Sequence, residues 1–152
     1  MDSEFNDLEK SSWGGLLGMY GRLFRLIDAD LQSHFGISHV EFEVLLRLSW
    51  RQDRRARIQD LATQSVLTRS GVSRLVERLE GLGLVRREKA DEDRRGAYAI
   101  LTDKGEALFR EAVRTHVAFV RQHFLRHFDE SELQQMSEFW RRIEDEMKKT
   151  DS

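Results

Sequence analysis

Apolar residues recur at helical spacing at both ends of the chain and bracket a centre where the rhythm changes. At the start, Trp13, Leu16, Leu17, Tyr20, Leu23, Phe24, Ile27, Leu31 and Phe35 lie mostly three and four apart, the stripe of an amphipathic helix. Gly36 supplies its stop, because glycine takes a left-handed cap conformation at little cost. Ser38-x-x-Glu41 is a capping box that opens a second helix running to about Trp50. Arg51 to Arg57 reads as a charged loop. Ile58 then opens a short strand or leads straight into a helix near Gln59–Gln64.

Thr68 is a suitable N-cap for the next helix, which reaches about Gly81. Gly83 turns the chain into an extended stretch at Leu84–Lys89, with a partner strand at Ala97–Leu101 and a polar hairpin tip at Ala90–Gly96. Thr102 caps a long fifth helix expected to extend to about Phe128. Asp129-x-x-Glu132 is a second capping box and opens a last helix to about Lys149. In it Leu133, Met136, Trp140, Ile143 and Met147 form a narrow apolar seam. A short helix, a turn, a second helix rich in Ser and Arg, and a basic hairpin, in that order, predict a winged helix-turn-helix. The fold class is mainly α with a small β-hairpin wing. Residues 1–36 form an N-terminal helix, 37–103 the winged domain, and 104–152 the C-terminal helices. The end helices carry more apolar surface than a small winged domain covers. Either they enlarge a monomer core, or they form an intertwined dimer interface; their position flanking a compact centre favours the dimer.

At 152 residues the chain is one domain or two tightly fused halves. Cysteine is absent, which excludes a disulfide framework and a thiolate zinc site. No apolar run is long enough to span a membrane, and the first dozen residues are acidic and polar, unlike a secretory signal. A soluble cytoplasmic protein is expected. The net charge of −2 hides an asymmetry. Between Arg47 and Arg95, 13 Lys and Arg stand against 8 Asp and Glu, a balance of +5. The remainder holds 12 against 19, a balance of −7. Positive charge gathered on one segment is the footprint of a phosphate-binding face.

Three pieces of the centre resemble the MarR family of bacterial transcriptional regulators. They are Asp60-Leu61-Ala62 with the run Thr68 to Glu80, then Gly83-Leu84-Val85-Arg86-Arg87, then Asp93-Arg94-Arg95-Gly96 continuing through Ile100 to Gly105. The resemblance implies a homodimer with one winged lobe on each major groove of a pseudo-palindromic operator. It also implies repression or activation that is relieved by a small ligand, often aromatic or phenolic, or by oxidation, with a repressor the expected form.

On a helix beginning at Thr68, the first turn presents Thr68, Arg69 and Ser70, and the next adds Ser73 and Arg74. Ser70, Ser73 and Arg74 share a face, and an arginine there suits bidentate bonding to guanine. Arg78, one turn on, reads as a phosphate clamp or a partner of Glu77 or Glu80. Val72, Leu75, Val76 and Leu79 face the core. At the wing, Asp93 stands two residues from Arg95 and can hold that guanidinium extended. By the resemblance Arg95 enters a minor groove, which leaves Arg94 for a phosphate.

With no cysteine, a thiol switch is excluded. His116, His123 and His127 lie on the fifth helix, with His123 and His127 four apart, but no carboxylate offers a third ligand; packing or surface roles are the default, and no metal or other cofactor is expected. An organic effector remains. By the resemblance its pocket lies between the end helices and the winged lobe, where Trp13, Tyr20, Phe24 and Trp50 are the available aromatics, with Arg22, His39 or Arg47 for an anionic group. The same aromatics equally suit a core. No Gly-rich phosphate loop, His-Glu-x-x-His, Gly-x-Ser-x-Gly or cysteine nucleophile is present, so an enzyme is not expected. The alternatives are a winged-helix protein-interaction module and a sequence-indifferent architectural DNA binder.

Overall fold

The structure is a computed structural model. It describes the backbone of residues 4–63, 69–90 and 96–150, and the side chains of all of these except 62, 63, 69 and 70. Helix α1 spans Asp7–Phe35 and starts earlier than its apolar stripe, because Asn6 caps it. The Asn6 side chain accepts from Glu9 N at 2.9 Å, and the Glu9 carboxylate accepts from Asn6 N at 2.8 Å. The helix ends at Gly36 with φ 67°, as expected of a left-handed cap. Ser38 and Glu41 exchange the two bonds of a capping box, and α2 follows as His39–Ser49.

The charged loop expected over Arg51–Arg57 is partly a strand. Residues Arg55–Arg57 form β1 and pair antiparallel with the strand Ala97–Leu101. Ala56 is buried while the Tyr98 ring packs against both flanking arginines. The Arg55 guanidinium lies 3.7 Å from the ring centroid, and Arg57 Nε donates to the Tyr98 hydroxyl at 3.3 Å. Three residues are too few to show alternation, so only the cross-strand partner reveals the strand. Helix α3, Ile58–Thr63, starts directly after it, and α4 is Arg69–Gly81. Strands β2 (Val85–Lys89) and β3 (Ala97–Leu101) complete a three-stranded antiparallel sheet in the order β1-β3-β2.

Helix α5 runs from Asp103 to His123 and stops short of the expected Phe128. A 3₁₀ turn at Leu125–His127 replaces its last turn. His127 N and Phe128 N bond back three residues, to Phe124 O and Leu125 O, each at 3.2 Å. The Phe128 ring folds onto Phe124, centroids 5.2 Å apart. Asp129 then caps α6, Glu130–Thr150, through reciprocal bonds with Glu132 of 2.9 Å each.

The chain divides into two compact units, residues 1–113 and 114–152. In the first, Leu31 and Ile37 join Leu45, Leu48, Leu61, Val72, Val76, Leu79 and Leu84 in one fully buried cluster. The second half of α1 therefore belongs to the same core as α2, α3 and α4. In the second unit Phe124, Leu125, Leu133 and Met136 are half-buried and, with Trp140, line an open groove of about 380 Å³. No residue of α6 is buried. Among the described residues no helix is long and apolar enough to cross a membrane.

Candidate nucleic-acid interface

Helix α4 has the two faces its sequence requires. Val72, Val76 and Leu79 are fully buried and Leu75 packs against the same core. Arg74 projects from the other side, exposed, and makes no ion pair among the described residues. Ser73 is half-buried and its carbonyl accepts from Arg87 Nη2 at 2.6 Å. Glu80 takes the Arg87 backbone N–H at 3.0 Å and pairs with its guanidinium at 3.6 Å. Strand β2 is thus stapled to the solvent edge of α4, which fixes the base of the wing against that helix.

The neck of the wing is closed by Ala90 N donating to Gly96 O at 3.0 Å. Its base is locked to α5: the Thr102 hydroxyl bonds Gly83 O at 2.7 Å and accepts from Gly105 N at 3.0 Å, while Lys104 Nζ donates to Leu82 O at 2.8 Å. Both halves of the surface therefore rest on rigid elements. Asp93, Arg94, Arg95 and Thr68 lie outside the described residues. Arg69 and Ser70 occupy the first turn of α4, and their side chains lie outside as well.

Arg78 departs from expectation. Its guanidinium pairs neither with Glu77 nor with Glu80 but reaches α2, where Nε sits 3.2 Å from Glu41 Oε1. Its Nη2 donates to Gly36 O at 3.0 Å. Two positions 37 residues apart carry no local signal of such a pairing.

Of the residues considered for an effector, Tyr20, Phe24 and His39 form a series of ring contacts, with centroids 6.0 and 4.9 Å apart. His39 N donates to Asp28 Oδ1 at 2.8 Å, and its ring Nε2 lies 3.7 Å from Glu43 Oε1. Trp13, Tyr20 and Arg22 are exposed, and Trp50 is 76% exposed at the end of α2. His123 and His127 no longer share a helix face, because α5 ends between them; His123 stacks instead on Phe119 at 4.2 Å. The arginines of β1 were not singled out from the sequence. Arg51, Arg55 and Arg57 line an open cleft of about 490 Å³ with Asp53, Asp60 and Tyr98, a site of mixed sign.

A model of the MarR family matches residues 37–96, from the α1–α2 corner to the wing. The crystal structure of AbsC, a MarR family transcriptional regulator from Streptomyces coelicolor, superimposes with a TM-score of 0.86 at 32% identity, covering 97% of this chain and 99% of AbsC. The chain belongs to the MarR family. A second MarR regulator of that organism, Sco3205, was solved in complex with DNA; it is 32% identical with a TM-score of 0.87, over 95% of this chain and 91% of its own. By sequence the uncharacterized HTH-type transcriptional regulator YkoM of Bacillus subtilis (strain 168) is 30% identical over 109 residues, 69% of each chain. This MarR protein is a DNA-binding transcriptional regulator of the winged helix-turn-helix type, and not an enzyme.

Proposed function

We propose that this MarR regulator is a homodimeric repressor that reads a pseudo-palindromic operator and leaves it when a small aromatic or anionic ligand binds. The observation that carries sequence reading is Arg74: exposed, unpaired among the described residues, and backed by the buried Val72, Val76 and Leu79 that hold its helix rigid. On this reading Arg74 bonds a guanine edge, with Thr68, Arg69, Ser70 and Ser73 bonding neighbouring bases or phosphates. Arg95, steered by Asp93, enters the flanking minor groove and Arg94 takes a phosphate.

Dimerisation through residues 1–36 and 104–152 is supported by the apolar side chains left uncovered there. Leu8, Trp13, Leu17 and Tyr20 of α1 and Phe139, Trp140, Ile143 and Met147 of α6 are all about half exposed or more. The Tyr20–Phe24–His39 series offers an aromatic wall for an effector. Trp13, Trp50, Arg22 and Arg47 are the further residues proposed to line it.

The test is a duplex enriched by the wild-type protein from a random pool, titrated against a scrambled duplex at two salt concentrations. A paired footprint about one helical turn apart, a specificity ratio of about 10³ or more, and collapse of that ratio in Arg74→Ala are expected. A single isolated half-site refutes the palindrome. Equal affinity for both duplexes refutes sequence reading and favours an architectural role.

A further inference from the structure

Glu41 is the one charged residue among the described core positions, 3% exposed. Burying a carboxylate is unfavourable unless its oxygens are bonded and its charge paired. Both conditions are met here, and by two different parts of the fold. Oε2 accepts from Ser38 N at 2.7 Å, closing the α2 capping box, and Oε1 faces Arg78 Nε at 3.2 Å. The same guanidinium donates from Nη2 to Gly36 O at 3.0 Å. Arg78 thus grips the α1–α2 corner at two points, the Gly36 carbonyl and the Glu41 carboxylate.

The grip lies on the C-terminal half of the reading helix. Arg78 is nine positions beyond Arg69, or about 13 Å along the axis at 1.5 Å per residue. Val72, Val76 and Leu79 seat the helix on the core, and Arg78 adds a polar grip near its C-terminal end, where a small change of angle displaces the first turn and Arg74 most. Base readout fails when donors are misplaced by about an ångström. The corner that Arg78 holds is also rigid: Gly36 is a left-handed cap, Ile37 is fully buried, and Asp28 of α1 accepts from His39 N.

We propose that Arg78 and Glu41 are positioning residues for DNA reading: the pair orients α4 on the α1–α2 corner, and Arg78 does not serve as a phosphate contact. The proposal rests on the reading that α4 carries base recognition. It also makes α1 and α4 a single lever, so a disturbance at the corner is transmitted to the reading end.

Three variants test this, Glu41→Gln, Arg78→Lys and Arg78→Ala, each against the enriched and scrambled duplexes over a range of salt. Glu41 is buried and has no access to DNA, and Gln keeps its shape and its bonding to Ser38. Lys keeps the positive charge of Arg78 but loses the two-point grip. Positioning predicts that all three lower the specificity ratio at least tenfold, that Arg78→Lys does not rescue, and that Glu41→Gln with Arg78→Ala is no worse than either alone. The slope of log affinity against log salt stays at the wild-type value. A phosphate contact predicts the reverse: Arg78→Ala lowers the slope by about 0.9, Arg78→Lys restores it, and Glu41→Gln is silent; that result overturns the proposal. A lowered melting temperature with an unchanged specificity ratio overturns it too, leaving the pair merely structural. Should Glu41→Gln fail to fold, Arg78→Lys carries the same decision through its ratio and slope. Arg74→Ala is run alongside: wild-type specificity in that variant removes the reading of α4 itself, whatever the pair does.

Discussion

Gly105→Ala is expected to be strongly destabilising, because a methyl there has no room. Gly105 stands in the first turn of α5 where the helix meets the α4–β2 connection. A Cβ at this position would lie 2.0 Å from Leu84 O, 2.9 Å from Leu84 C and 2.8 Å from Leu101 Cδ1. An ordinary non-bonded contact is about 3.5 Å, so the backbone at Leu84 must retreat by roughly 1.5 Å. No rotamer change relieves it, because the nearest clashing atom is a main-chain oxygen.

That retreat pulls on the bonds that make the joint. Leu84 O accepts from Thr102 N and from the Thr102 hydroxyl, each at 3.1 Å, and the hydroxyl also caps α5. Overpacking a tight site costs about 1–3 kcal/mol, loss of a helix cap about 1 kcal/mol, and each strained buried hydrogen bond about 1 kcal/mol. The sum is about 4–6 kcal/mol, a large part of the 5–15 kcal/mol that holds a typical domain together. Urea unfolding at one fixed protein concentration measures it, with Gly81→Ala as the control. A Cβ at Gly81 meets nothing within 4 Å and the residue is helical, so alanine there is expected to add up to about 1 kcal/mol. Gly105→Ala within 1 kcal/mol of wild type would refute the argument, since it would mean that the joint yields freely.

Gly36 holds φ 67°, so Gly36→Ala is expected to cost about 1–2 kcal/mol and Gly36→Asn less, read from melting temperatures. The Asp129 carboxyl is held below its ordinary value of 3.8 by the Glu132 backbone N–H and then by the Ser131 hydroxyl. A lowered carboxyl contributes stability that is complete above pH 3.8 and lost as pH falls through the lowered value. Asp129→Asn keeps a capping oxygen that does not titrate. The advantage of the wild type over this variant, followed by circular dichroism, is therefore expected in full at pH 7 and to shrink as pH falls below 3.8; a pH-independent difference sinks the assignment. Tyr98→Phe removes the bond to Arg57 Nε but keeps the ring under Arg55, and should cost no more than about 1 kcal/mol, whereas Tyr98→Ala costs more, by urea denaturation.

The parts of the fold legible in the sequence are those whose cause is local. Ser38 with Glu41, Asp129 with Glu132, Gly36 and Thr102 each act within four residues, and each helix boundary they imply is present. Asn6 with Glu9 obeys the same rule and was missed only because the apolar stripe begins later. Strand β1 was not legible, since its alternation lasts three residues and its partner is β3, more than 40 residues away. The end of α5 misled for the opposite reason. Val117, Val120, Phe124 and Phe128 keep helical rhythm across a break, because Phe124 and Phe128 still pack on one another after the chain has turned.

Charge is where composition and contact part company. The surplus between Arg47 and Arg95 suggests many phosphate contacts, but much of it is engaged inside the fold. Arg54 is held by Asp103 and Glu106, Arg55 and Arg86 by Glu88, Arg78 by Glu41, and Arg87 by Glu80. Each of these pairs ties one element of the winged domain to another or steadies a strand. A guanidinium held in this way is a brace, and giving it to a phosphate would release a carboxylate beside the DNA, which repels the same phosphate. The cations free to meet DNA are therefore fewer than the count implies. Arg74 is one of the exposed cations of this span that no acid holds among the described residues, and it sits on the outer face of α4. A salt slope well below that expected from the surplus, one phosphate for each positive charge, is the thermodynamic signature of this arrangement.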